Sequence, residues 1–528
     1  MSNYGDRTAI WISFPGTRLP PQDAWFAVLL LGVLQAFGCV LLAASALHAD
    51  YSTQSDHGCS ANLSELRERF ALFGQEHVFR FWEALGSSAR ARLAAQAAGL
   101  DLAALAAADQ ATRALAAPGA RRLEPAPIQR LPGQGGDPRI AAAAIERGEA
   151  MLAAGRVAAL VVAGGQGTRL GFEGPKGAFA LGPLTDRTLF EQQAQKIRGL
   201  RRRYECPLPW YIMTSAATDA QTRALFRRHA FFGLPEGDVC FFQQQMIPAL
   251  DFDGRLILDQ PDHIFESPNG HGGSLTGLIT SGALDDMERR GVSSIYYYQV
   301  DNPLGRIGDP VYLGFHAAAG ADMSCKVIAK LDPLEKMGVI ARVDGRVGVV
   351  EYTELDDQHR YARSPDGELE YWAGNIAIHV IEVEFARRAA ADADRILPYH
   401  ASAKKIPTLD DTGRPVLPSA PNGRKLERFV FDALRAARHV TVLETRRDEE
   451  YSPIKNASGA DSPQTARRDL MAVYRRWLEE AGVEGVDAET AIEINHAVFD
   501  GPDDLRASRI RRVTEAGDAI RIAPGVAE

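Results

Sequence analysis

The amino-acid sequence predicts an α/β protein with a mostly parallel central sheet covered by helices, a helical N-terminal part and a small C-terminal domain. Two observations carry that expectation. Apolar runs of strand length alternate with segments of helical spacing from about residue 137 to 300, the pattern left by crossover connections between parallel strands. The first of those runs, 157–163, breaks into glycines at 164, 165 and 167. Open sheets gather ligands at such turns, beyond the carboxyl ends of their strands.

The elements follow in order. From 64 to about 108, Leu66, Phe70, Phe73, Val78, Phe81 and Leu85 recur near helical intervals. Residues 109–137, rich in Ala, Pro, Gly and Arg, read as a linker or wrapping segment. Asp137 and Pro138 suit the N-cap and first turn of a helix that runs to Gly155 and hands over to the strand at 157. Thr188 and Glu191 have capping-box spacing at the head of a helix over 189–203. Strands are expected at 209–215, 239–245 and 293–300, with helices at 219–231 and from Ser274 to Arg290. Residues 323–380 are β-rich; from about 441 come a short strand, an irregular stretch at 452–463, a helix at 464–481 and a final stretch with Gly501 and Pro502. The expected division is an apolar extension (1–62), a helical part with its linker (63–137), a main α/β domain (138–440) and a small C-terminal domain (441–528).

A chain of 528 residues exceeds one small domain, and 46% apolar with 24% charged residues is ordinary for a globular protein. A net charge of -9 argues against a general nucleic-acid binder. Cysteines 39, 59, 206, 240 and 325 are scattered and lack C-x-x-C spacing, which points to a reducing cytoplasm and supports neither a zinc site nor a disulfide framework. The run at 24–49 departs from this picture: it is apolar and long enough to cross a bilayer. Three readings stay open for it, namely a membrane anchor, a signal or packed helix, and an extension the folded protein does not use.

Residues 157–177 carry the chemistry. A strand that feeds a loop without side chains lets backbone N–H groups approach an anion, and Arg169 and Lys176 follow at fixed offsets. Two cations so placed suit a polyphosphate. A dinucleotide fingerprint needs G-x-G-x-x-G, whereas Gly165, Gly167 and Gly171 give one residue more. A P-loop needs Lys followed by Ser or Thr, whereas Lys176 lies between Pro175 and Gly177. The loop therefore reads as a nucleoside triphosphate cradle of another kind.

GGQGTRLG at 164–171 followed by PKG resembles the eukaryotic-type UTP–sugar-1-phosphate uridylyltransferases, and among them the UDP-N-acetylhexosamine pyrophosphorylases. The resemblance runs from about Leu66 to the C-terminus. It continues through PWYIMTS at 209, FFQQ at 241, SPNGHGG at 267, VDNPL at 300 and VVEYTEL at 349. AGNIAIH at 373, AKKIP at 403, KLERFVFD at 425 and YSPIKNA at 451 complete it. It implies a Rossmann-like, glycosyltransferase A-type sheet and attack of a sugar 1-phosphate on the UTP α-phosphorus with loss of pyrophosphate. Positioning and charge neutralisation then do the catalysis.

Carried over residue by residue, the resemblance implies that Ala163, Gly164, Gly165, Gln166, Gly167 and Thr168 cradle the nucleotide. Gln244 and Gly270 would read the uracil. Arg169, Lys176 and Lys455 would hold the phosphates, and Asp301 would bind Mg²⁺. His271, Glu351 and Asn375 would contact the sugar, and Lys404 and Lys405 are candidates for its phosphate. The family usually has Asn at the position of His271; imidazole is bulkier and titrates near neutrality in its ordinary state. The expected substrates are UTP and an N-acetylhexosamine 1-phosphate. A UDP-glucose or broad UDP-sugar pyrophosphorylase, a UDP-sugar glycosyltransferase and a uridine-nucleotide binding module without turnover stay open as alternatives.

Overall fold

The computed structural model describes residues 9–12, 63–115, 121–484, 486–487, 490–508 and 519–522; the apolar run at 24–49 lies outside the described residues. A ten-stranded mixed sheet forms the centre. Its strands are β1 (Leu123–Pro125), β2 (Val157–Val162), β3 (Trp210–Thr214), β4 (Val239–Gln243), β5 (Ser294–Gln299), β6 (Met323–Ala329), β7 (Val339–Val343), β8 (Arg346–Val350), β9 (Ala373–Glu382) and β10 (Val440–Glu444). In the order β4–β3–β2–β5 the strands run parallel, with Val157 opposite Ser294 and Val162 opposite Gln299. The long β9 then pairs antiparallel with both β5 and β6 and passes the sheet on to β7 and β8. The direction of progression along the parallel half reverses between β2 and β5, so a crevice opens beyond their carboxyl ends.

β2 reads VAALVV because it is buried on both faces. Successive side chains of a strand point to opposite faces. Ala159 and Val161 accordingly pack with Trp210 and Ile212 on one side, and Ala158 and Leu160 with Tyr211 and Met213 on the other. Helices α4 (Pro138–Ala153), α5 (Leu189–Tyr204), α6 (Asp219–Arg228), α7 (Gly273–Thr280), α8 (Ala283–Arg289), α9 (Pro310–Ala318) and α10 (Val383–Ala391) cover these faces. Asp137 caps α4 by accepting from the Arg139 N–H, and Thr188 caps α5 by accepting from the Glu191 N–H.

The N-terminal helices α1 (Leu63–Ala71), α2 (Ser87–Gly99) and α3 (Leu102–Leu115) precede the sheet. Leu66, Phe70, Val78 and Trp82 of this region form an apolar cluster with Leu250, Leu258 and Leu426. Near the other end, α11 (Pro463–Glu480) places Leu470 and Leu478 in one cluster with Ile197 of α5 and Trp210 of β3.

Two expected helices differ. The one over 274–290 is two, α7 and α8, parted at Gly282, whose φ of +73° suits glycine; Ser274 lies inside α7 and does not cap it. The helix over 219–231 stops at Arg228, because Ala230, Phe231 and Phe232 take left-handed conformations.

Candidate active site

The glycine loop leaves β2 at the switch point. Ala163 and Gly164 are buried, and a Cβ on Gly164 would meet Gln244 Nε2 at 2.8 Å, so Gln244 lies directly on the loop backbone. Ser215 Oγ donates to the Gly164 carbonyl at 2.8 Å, and the Gln244 N–H donates to Thr214 O at 2.9 Å. Loop and uracil-reading candidate are thereby fixed to each other across β3. Gly165, Gln166, Thr168 and Arg169 are exposed while Gly167 is buried against Phe172. Arg169 makes no hydrogen bond or ion pair among the described residues. The loop closes on itself where the Lys176 N–H donates to Gly165 O at 3.0 Å.

Lys176 Nζ then donates to Asp301 Oδ2 at 2.9 Å, across the crevice from the end of β5. From below, α5 holds the Asp301 turn: Gln193 Nε2 donates to Val300 O, and the buried Lys196 ammonium donates to Pro303 O and Gly305 O. Burial lowers the Lys196 pKa to about 8.

The same turn docks the segment that carries Lys455. Asn302 is buried; its Nδ2 donates to Glu450 O at 2.7 Å and its Oδ1 accepts from the Ser452 N–H at 3.1 Å. The Ile454 N–H donates to Asp301 O at 2.9 Å. Lys455 Nζ donates to Tyr451 Oη at 3.2 Å. Burial works against the Lys455 charge, but Tyr451 and Asp301 outweigh it and hold its pKa above the usual lysine range.

A cavity of about 160 Å³ lies between these walls. His271, Asp301, Glu351, Asn375 and Lys455 all line it. The sequence places these five residues across nearly two hundred positions, and the fold converges them on one space. Lys176 joins through its bond to Asp301, whereas Arg169, residues 163–168, Lys404 and Lys405 do not line it.

Local backbone features aim the side chains. β9 slips register against β6 between the Cys325 and Val327 pairings, and Ala377 takes φ +55° there. Such a bulge re-aims a neighbouring side chain. Asn375 Oδ1 accepts from the Ala377 N–H at 3.1 Å, which leaves its amide N–H donors for the cavity. Gly270 takes φ +85°, and a Cβ there would meet Arg428 O at 2.5 Å, so the loop before α7 lies close on the strand Gly423–Arg428. Glu351 is pushed above the usual carboxylate range by burial and by Glu354.

His271 departs from the expectation of titration near neutrality. Its Nδ1 accepts from the Val430 N–H at 3.2 Å and its ring stacks on Phe429. Burial, with His400 adding to it, lowers its pKa to about 4. It is a neutral imidazole with its proton on Nε2, so it presents a single donor.

Gln299, Lys336, Gly338, Phe431 and Tyr451 also line the cavity and were not singled out by sequence. Phe431 and Tyr451 lie inside two matching motifs, KLERFVFD and YSPIKNA, so a signal for them existed. Lys336 and Gly338 lie in none.

A strand-delivered glycine loop, a carboxylate facing it from the next parallel strand and a polar cavity beside them form a site for an activated phosphate and a polyhydroxyl partner. Residues 137–480 match the family described as UTP–glucose-1-phosphate uridylyltransferase. The chain belongs to this family. This uridylyltransferase is 40% identical over 447 residues to UDP-N-acetylhexosamine pyrophosphorylase-like protein 1 of Homo sapiens, across 82% of this chain and 88% of that protein. It is 37% identical over 355 residues to UDP-N-acetylglucosamine pyrophosphorylase of Saccharomyces cerevisiae, across 65% and 74% of the two chains. The crystal structure of the uridine diphosphate N-acetylglucosamine pyrophosphorylase from Trypanosoma brucei, in complex with inhibitor, is similar with a TM-score of 0.75 and 28% identity. It covers 88% of this chain and 99% of that one. The uridylyltransferase fold thus extends beyond the matched 137–480 in this chain. Among the described residues, no helix is long and apolar enough to cross a membrane.

Proposed function

We propose that this uridylyltransferase joins UTP and an N-acetylhexosamine 1-phosphate to give UDP-N-acetylglucosamine or UDP-N-acetylgalactosamine and pyrophosphate. The single observation that carries this reading is the cavity shared by Asp301, Lys455, Glu351, Asn375 and His271 at the switch point of the sheet. Similarity to the N-acetylglucosamine pyrophosphorylases supports the choice of sugar. The body over 138–440 carries the glycine loop and sugar wall, and the 441–528 part contributes Lys455. A cytoplasmic setting, where UTP is made, fits this chemistry.

In this reading a phosphate oxygen of the sugar 1-phosphate attacks the α-phosphorus of UTP in line. The new P–O bond forms as the bond from the α-phosphorus to the bridging oxygen breaks, and pyrophosphate leaves with that electron pair. The attacking oxygen is already ionised, so no side chain needs to remove a proton. Backbone N–H groups of 163–168 and the Gln244 amide would hold the nucleotide. Arg169 and Lys176 would hold the β- and γ-phosphates, and Lys455 would face the transferred phosphate from the other wall. Glu351 would accept from sugar hydroxyls, while Asn375 and His271 would donate.

Asp301 fits a hard divalent cation such as Mg²⁺: it offers a carboxylate at the crevice, beside where phosphate oxygens would enter. Among the described residues no cluster of three or more His, Cys, Asp or Glu could hold an ion, so substrate oxygens and water would supply the remaining ligands. Such an ion, when bound, neutralises charge on the phosphates and polarises the α-phosphorus.

The test is pyrophosphate release from UTP with N-acetylglucosamine 1-phosphate, N-acetylgalactosamine 1-phosphate and glucose 1-phosphate. Preference for either N-acetyl sugar is expected. A clear preference for glucose 1-phosphate would overturn the choice of sugar, and nucleotide binding without release with any of the three would overturn the catalytic reading.

A further inference from the structure

We propose that Lys336 binds the phosphate of the incoming sugar 1-phosphate, a role that rests on the uridylyltransferase reading above. Lys336 lies in the turn between β6 and β7 and lines the cavity on the wall formed with Gly338, Glu351 and Asn375. That is the sugar wall; the glycine loop that would cradle UTP does not line this cavity.

The charges around the cavity are unevenly matched. Asp301 is held by Lys176 at 2.9 Å. Lys455 has Tyr451 Oη at 3.2 Å and Asp461 at 3.9 Å. Glu351 is displaced toward its neutral form by burial. Lys336 is exposed and makes no hydrogen bond or ion pair among the described residues. An ammonium without a counter-charge, lining the same small cavity as a second lysine, favours a dianionic group shared by the two.

The backbone of Lys336 is fixed even though its side chain is free. Before it, Glu335 is clamped by Arg447 Nη2 at 2.7 and 2.9 Å and accepts from the Leu331 N–H at 2.7 Å. After it, Met337 is buried with its sulfur against Gly374, and Gly338 O accepts from the Asn375 N–H at 2.9 Å. Arg447 also lies over the Tyr451 ring at 5.5 Å, and Tyr451 accepts from Lys455. One arginine therefore ties the wall bearing Lys336 to the wall bearing Lys455. A cation on an anchored backbone loses less freedom when it takes up a phosphate than one on a loose loop.

The experiment measures KM for N-acetylglucosamine 1-phosphate and for UTP in the wild type, Lys336→Ala and Lys336→Arg. Arg147→Ala, on the exposed face of α4, serves as an exposed-cation control. Lys336→Ala should raise the sugar-phosphate KM by about tenfold or more, the effect of losing a charge-assisted contact, with the UTP KM changed less than about twofold. Lys336→Arg should recover most of the loss, and Arg147→Ala should leave both constants unchanged. An unaltered sugar-phosphate KM in Lys336→Ala, or an equal rise in both constants, would overturn the proposal while leaving the function standing. A wild type that transfers no uridylyl group with any sugar phosphate would remove both.

Discussion

The Lys176 ammonium donates to the Asp301 carboxylate at 2.9 Å and joins two loops that lie 125 residues apart in sequence. Both side chains are largely shielded, 17% and 14% exposed. Each satisfies the other's charge at the mouth of the crevice, where neither has to wait unpaired for a ligand. An arriving triphosphate with its divalent cation offers each of them a new partner, anionic oxygens for the lysine and the cation for the aspartate. The pair is thus a pre-set template for separated charges.

Lys176→Ala removes a cation from the position where charge collects on the departing pyrophosphate. Turnover should fall by about tenfold or more with the fold retained, measured as pyrophosphate release alongside circular dichroism. Near-normal turnover would remove Lys176 from the site.

The alternation of strand and helix and the glycine break after 157–163 made the parallel half of the sheet legible, because strands buried on both faces need uninterrupted apolar runs. The family resemblance named Asp301, Asn375 and Lys455, and the fold brings the three to one cavity. Asn302 shows what stayed hidden: its importance comes from bonds to Glu450 and Ser452, and no local pattern announces a contact across 150 residues. The charge state of His271 was hidden for the same reason. An imidazole titrates according to its burial and its partner N–H, and both arise from the distant strand and turn around Val430.

Two glycines of the loop should separate stability from binding. A Cβ on Gly177 would press on the buried Phe190 ring, with Cδ2 at 2.5 Å, and that ring meets Trp210 and Phe226 edge-on or nearly so. Gly177→Ala should therefore cost about 1–3 kcal/mol through overpacking, read from denaturant unfolding. A Cβ on Gly165 meets nothing within 4 Å. Gly165→Ala should leave stability within about 0.5 kcal/mol and raise the KM for UTP. If Gly165→Ala binds UTP as the wild type does, the nucleotide backbone does not pass over that residue.

Burial keeps the folded His271 neutral down to about pH 4, whereas an unfolded imidazole takes up a proton near 6.5. The unfolded state binds more protons between these values, so stability is fully present above about 6.5 and is lost as pH falls toward 4. His379, lowered to about 3, and His496, lowered well below its usual value, act in the same direction. His271→Asn should make the acid side of the stability profile shallower, seen as a smaller drop in urea midpoint between pH 7 and 5. An unchanged drop would show that His271 is protonated in the fold.

Lys326 is fully buried, with its ammonium between Asp309 Oδ2 at 2.7 Å and Glu450 Oε1 at 2.5 Å. Thr445 Oγ1 also donates to Glu450 Oε1, and the Glu450 carbonyl accepts from Asn302. The triad therefore lies beneath both the Asp301 turn and the segment that leads to Lys455. Lys326→Met leaves two carboxylates buried without their counter-charge, which should cost about 3–5 kcal/mol in denaturant unfolding. Replacing the whole triad with apolar residues of similar size (Lys326→Met, Asp309→Leu, Glu450→Met) should regain much of that stability, because the desolvation of all three charges is removed together. Turnover should not return with it, since the bonds that align Asp301 with Lys455 depend on where Glu450 sits. A triple variant that recovers stability and turnover together would mean that the alignment comes from Asn302 and the backbone alone.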